Sequence, residues 1–82
     1  MFEKFFPNRI QNDQAKLEKA RRKCIYILRQ KGLSSEEINQ VEGRSFKKAT
    51  SAYVDHPNIQ ATLKTYFITL QKESLKIGYD VA

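Results

Sequence analysis

Cysteine, histidine, tryptophan, glycine and proline are all scarce in this 82-residue chain, which has one Cys, one His, no Trp, three Gly and two Pro. Each shortage excludes something. The single Cys24 has no partner for an internal disulfide, and no Cys-x-x-Cys pair is present to hold zinc. With no disulfide framework, a cytoplasmic location is the expected one. His56 is the sole histidine, so any Ser–His or Cys–His nucleophile pair would have to include it. Its place beside Pro57, at an expected helix boundary, suits a cap or a surface position better than acid–base catalysis. Gly32, Gly43 and Gly78 stand far apart, so no glycine-rich loop is encoded that would cradle a phosphate. No apolar run approaches the roughly 18 residues that a membrane span needs. The start, Met1-Phe2-Glu3-Lys4-Phe5-Phe6-Pro7, lacks the long apolar region of a signal peptide.

Acidic residues number only nine, against fifteen Lys and Arg. Glu36 and Glu37 sit where a helix start favours negative charge, and Glu42, Asp55, Glu73 and Asp80 are scattered along the chain. No carboxylate, His or Cys cluster has metal-ligand spacing. Neither an enzyme, nor a cofactor, nor a metal site is expected.

What is present is an ordinary apolar share, 40%, with 29% charged residues and a net charge of +6. Enough Leu, Ile, Phe and Tyr are available to offset chain entropy, which argues against disorder. The length fits one domain, spanning residues 1–82. Such a domain buries only about 60–65% of its unfolded surface, so its margin of stability is thin and a homodimer would add buried area.

Periodicity points to helices throughout. Residues 1–11 read as a short apolar arm, with Phe2, Phe5 and Phe6 at helical spacing and Pro7 ending any turn they form; docking on the main body is the expected way to cover three phenylalanines. Asn12 or Asp13 is expected to cap a helix running to about Lys31, ended by Gly32. Leu17, Ala20, Cys24, Ile27 and Leu28 form its apolar stripe, flanked by Arg21 and Ile25. Ser34-Ser35-Glu36-Glu37 has the capping-box pattern and opens a second segment with Ile38, Val41, Phe46, Ala49, Ala52 and Tyr53 on its inner face. Either one helix passes through Gly43, at a cost of about 1 kcal/mol relative to Ala, or two short helices meet there. Asp55-His56-Pro57 marks the next boundary, with Asp55 or His56 as cap and Pro57 at the first helical position. Ile59, Leu63, Tyr66, Phe67, Leu70 and Ile77 make the last stripe, ending near Gly78, and residues 79–82 read as a loose tail. No strand alternation or hairpin turn occurs. The fold expected is all-α, a small bundle of three or four helices with its core in residues 12–78.

Charge supplies the functional signal. Lys16, Lys19, Arg21, Arg22, Lys23, Arg29 and Lys31, against Asp13 and Glu18, give the first helix about +5. Such a face attracts phosphates or an acidic protein surface. The stretch Leu33-Ser34-Ser35-Glu36-Glu37-Ile38 followed by Gly43-Arg44-Ser45 resembles a bacterial helix-turn-helix, in which a glycine serves the tight turn. That resemblance covers residues 33–54. It implies a recognition helix from Ser45 to Val54, with Arg44, Lys47, Lys48 and Ser51 facing the groove of DNA. Asn39 replaces the usual Ala of that motif, and Glu42 and Arg44 fall where it is normally apolar.

The expected function is therefore that of a small basic accessory or regulatory protein binding DNA or RNA through Lys16, Lys19, Arg21, Arg22, Lys23 and Arg29, with Arg44, Lys47 and Lys48 as readers. The alternative is a protein-binding module, an inhibitor, adaptor or immunity-type protein, that presents Tyr53, Tyr66 and neighbouring Lys to a partner. An amphipathic helix lying on an anionic membrane is the third and least supported reading.

Overall fold

The stop and start signals in the sequence divide the chain into three helices, and the computed structural model describes residues 8–80. They are α1 (Asn8–Gln30), α2 (Ser35–Asp55) and α3 (Ile59–Lys76). No strand occurs among the described residues. The expected arm therefore gives up its last residues: 8–11 are the first turn of α1, and helix formation continues upstream of Asn12 and Asp13 rather than being capped by them. The three phenylalanines of the arm lie outside the described residues.

Both glycine stops operate through the left-handed backbone that glycine adopts without a Cβ penalty. Gly32 has φ +97° and Gly78 φ +90°. After α1, the Gly32 amide donates to the Arg29 carbonyl (3.0 Å) and the Leu33 amide to Leu28 (3.2 Å). After α3, Gly78 donates to Leu75 (3.0 Å) and Tyr79 to Ser74 (2.9 Å). These are the paired bonds of the Schellman motif, and in each case the residue after the glycine, Leu33 or Tyr79, packs on the core. Tyr79 is thus part of the fold, so the expected loose tail does not begin there.

The capping box forms as the sequence indicates. The Glu37 amide donates to Ser34 Oγ (3.2 Å), and the Ser34 amide to the Glu37 carboxylate (2.9 Å). At the start of α3 the cap is further along than expected. Asn58, not Asp55 or His56, accepts the Ala61 amide on its side chain (3.1 Å), which puts Pro57 just outside the helix.

Gly43 lies inside a single helix. Its φ is not positive and no turn interrupts residues 35–55. The two-helix corner implied by the helix-turn-helix resemblance is therefore absent, and residues 45–54 are the second half of α2. The physical reason is local: the segment after Gly43 carries its buried positions in phase with those before it. Ile38, Val41, Ser45 and Ala49 fall on one face and are all buried.

Short connections make successive helices antiparallel. The α1–α2 pairs fit this arrangement, since Asp13 meets Tyr53 and Arg21 meets Glu42; Glu42 and Arg44 also reach Tyr66 and Glu73 of α3. It follows that α1 and α3 run parallel. The core between the three comprises Leu17, Cys24, Leu28, Leu33, Ile38, Val41, Ala49, Tyr66 and Leu70. Two residues expected in it stand at its edge instead: Ile27 and Phe67 remain 37% and 42% exposed.

Candidate functional site

The cationic residues of α1 from Lys16 onward divide into one that turns inward and five that turn out. Arg21 stands four residues after Leu17 and three before Cys24, which puts it on the inner side of the helix. Its Nε and a terminal nitrogen donate to the two Glu42 oxygens at 2.7 and 3.0 Å. The guanidinium lies 3.7 Å from the centre of the Phe46 ring and also approaches Glu18 at 3.5 Å. The sequence suggests a phosphate-facing Arg21 alongside its neighbours; its charge is instead matched inside the protein.

Glu42 is 4% exposed, and Tyr66, fully buried, donates to its Oε2 at 2.9 Å. One carboxylate thus receives hydrogen bonds from α1 and α3 while standing on α2. Hydrogen bonding to Glu42 holds the Arg21 guanidinium above its ordinary value, against the opposing effect of burial. Burial pushes the Tyr66 phenol well above its ordinary range, with Cys24 and Glu42 adding to the shift. Burial likewise raises the Cys24 thiol, partly offset by the neighbouring Tyr66 hydroxyl. A buried, protonated thiol beside a buried, protonated phenol is poorly suited to nucleophilic attack. The role expected for Tyr66 at a protein interface is ruled out by its burial, and Tyr53 is half-buried, donating to Asp13 at 2.7 Å.

The five outward cations are Lys16, Lys19, Arg22, Lys23 and Arg29, all exposed. Their spacing places them along one arc of α1 opposite the core. None of them is in an ion pair with another described residue. Tyr26 stands in the same arc, 64% exposed, with Lys23 and Arg22 one turn before it and Arg29 one turn after. Tyr26 is not among the residues singled out from the sequence; its three-residue step from both Lys23 and Arg29 is the signal that marks it.

Arg44, Lys47 and Lys48 do not join this arc. Arg44 reaches Glu73 of α3 at 3.5 Å, and Lys47 and Lys48 follow it one turn on along α2. All three are exposed; Arg44 is on the side that meets α3, and Lys47 stands opposite the buried positions of α2. Glu73 is held below the ordinary carboxylate value by hydrogen bonding to Lys76, with Arg44 contributing. The basic residues thus form two separate patches.

Between α1 and α3 lies a groove of about 260 Å³, lined by Ala20, Lys23, Cys24, Ile27, Leu28, Phe67, Leu70 and Gln71. No three or more His, Cys, Asp or Glu side chains among the described residues are placed to hold a metal ion. No described helix is long and apolar enough to cross a membrane. Compared with known proteins, the chain matches no protein-family model, no curated protein and no solved structure.

Proposed function

We propose that this protein is a small basic accessory or regulatory protein that binds nucleic acid through the outer arc of α1. One observation carries the reading: Lys16, Lys19, Arg22, Lys23 and Arg29 share an exposed face, lack carboxylate partners among the described residues, and surround an exposed Tyr26. Lysine and arginine on such a face neutralise phosphates and release the counterions condensed on them. An exposed aromatic ring among cations adds a flat surface on which an unpaired base stacks. The arc is a convex helix surface, and α2 has no recognition-helix corner to read base edges. Binding is therefore expected to tolerate sequence, with the phosphate backbone supplying most of the affinity.

Fluorescence anisotropy of labelled duplex and single-stranded oligonucleotides across a salt series tests this. With about five phosphates neutralised, the log–log slope on duplex is expected near −4 to −5. Single strands should show a shallower slope. Absence of binding at low salt, or binding indifferent to salt, removes the reading.

The protein-binding alternative is favoured by a different observation, the apolar groove between α1 and α3.

A further inference from the structure

We propose that the groove between α1 and α3 is a docking site for an amphipathic helix of a partner protein that carries carboxylates beside its apolar face. This inference does not rest on the nucleic-acid reading: its floor is the apolar strip of α1 beside the cationic arc, and the two surfaces share Lys23 at their border.

The groove is apolar and open. Ile27 and Phe67 line it while remaining more than a third exposed. On α3, Ile68 and Leu75 stand one turn to either side of the lining residue Gln71, at the outer edge of the groove, and are 41% and 60% exposed. Apolar side chains grouped in this way mark an interaction surface, whereas singly scattered ones do not. Its shape selects the occupant. Two parallel helices leave a concave furrow between them, and a third helix fits such a furrow by inserting residues spaced at three- and four-residue steps. A lipid surface would be met better by a convex apolar face.

The charge of the occupant follows from the rim. Lys23 is the one charged residue in the lining. Lys64, one turn before Phe67 and Ile68, is exposed on the same side of α3. The carboxylates of α1 and α3 nearby in sequence are engaged elsewhere: Glu18 approaches Arg21, and Glu73 pairs with Arg44 and Lys76, while Glu42 is held by Arg21 and Tyr66. A second copy of this chain, at net charge +6, would bring lysine toward lysine. An acidic amphipathic helix complements the rim and covers the apolar floor at once.

Two labelled synthetic helical peptides test this, each with Leu on one face, one flanked by Glu and the other by Lys. The Glu peptide is expected to bind and the Lys peptide not to bind. Leu75→Glu and Phe67→Glu should each weaken Glu-peptide binding by about tenfold or more. Leu75 is exposed enough that its variant should keep the wild-type melt if Phe67→Glu fails to fold. The same Leu75→Glu variant should bind oligonucleotides as wild type does, which separates failure here from failure of the nucleic-acid reading. Glu-peptide binding unaffected by both variants would place the peptide on the cationic arc and overturn the proposal. So would a homodimer that Leu75→Glu dissociates, since a second copy would then own the face. Binding to anionic phospholipid vesicles that Leu75→Glu abolishes, with no binding of the Glu peptide, would also overturn it.

Discussion

Arg21 and Glu42 face each other through two parallel hydrogen bonds, 2.7 and 3.0 Å long, across the contact between the first and second helices. Bidentate pairing of this type is directional as well as charged, so it fixes the rotation and height of α1 against α2. Tyr66 extends the constraint to α3 by donating to the same carboxylate at 2.9 Å. Phe46 closes the other face of the guanidinium. A three-helix bundle with so few large core residues gains a defined arrangement from this network, whereas its net contribution to stability is limited by the cost of taking two charges out of water.

That distinction yields a test. Glu42→Ala leaves the buried Tyr66 phenol without its acceptor and the partly exposed Arg21 guanidinium with Glu18 and solvent, and should cost about 1–3 kcal/mol in urea unfolding. Replacing the whole network, as Arg21→Met with Glu42→Leu and Tyr66→Phe, removes the uncompensated groups as well. The triple variant should unfold within about 1–2 kcal/mol of wild type, on either side. A Glu42→Ala cost below about 1 kcal/mol would show that the network is not closed in solution.

Glycine substitutions separate a continuous α2 from a turn at Gly43. A Cβ at Gly43 meets nothing within 4 Å, and its φ is not positive. Gly43→Ala should therefore raise stability by about 0.5–1 kcal/mol, the ordinary difference between the two residues inside a helix. Gly32→Ala and Gly78→Ala should each lower stability by about 1 kcal/mol, because alanine is strained at a positive φ although space is available. Destabilisation by Gly43→Ala, measured by thermal melting, would restore the two-helix corner.

Stability should fall on the alkaline side. Tyr66 and Cys24 both have folded-state values above their ordinary ones, because burial disfavours the anions. The unfolded chain therefore loses these protons first as pH rises. Below the ordinary values, near pH 9 for the thiol and 10 for the phenol, both states are protonated and the fold keeps its full stability. Above them, ionisation stabilises the unfolded state alone, and the melting temperature should drop steadily. Tyr66→Phe should flatten that decline relative to wild type. A melting curve equally steep in the variant would trace the loss to other groups.

The α1 arc and the α2 patch should differ in nucleic-acid binding. Arg22→Ala with Arg29→Ala is expected to make the salt slope shallower by about 2, one unit for each phosphate left unneutralised. Lys47→Ala with Lys48→Ala, on the other patch, should leave the slope near the wild-type value. Arg21→Ala should act on the melting temperature rather than on the slope. If the lysine pair proves the stronger determinant, the interface lies on α2.

The helix boundaries were readable because their causes are local. A Ser–Glu capping box, and glycines that enter the left-handed region at 32 and 78, act within a few residues of chain. Asn58 displaced Asp55 and His56 as a cap because three neighbouring residues all suit the position, and the backbone geometry selects among them. The interior charges were harder to read. Asp13, Leu17, Arg21, Cys24 and Leu28 recur at three- and four-residue steps, as do Ile38, Glu42, Ser45 and Ala49. A charged residue in an apolar stripe was the available sign that Asp13, Arg21 and Glu42 point inward.

The sequence by itself determined an all-α fold of three or four amphipathic helices, the glycine stops at 32 and 78, and a surplus of positive charge concentrated on the first helix. Only the tertiary structure decided which charges remain outside, because burial of Arg21 depends on a carboxylate 21 residues away and on a phenol from a third helix. It also decided that Ile27 and Phe67 border an open groove. Side-chain periodicity defines a face, but the width of the stripe that a neighbouring helix covers depends on how two helices cross, and no single segment encodes that angle.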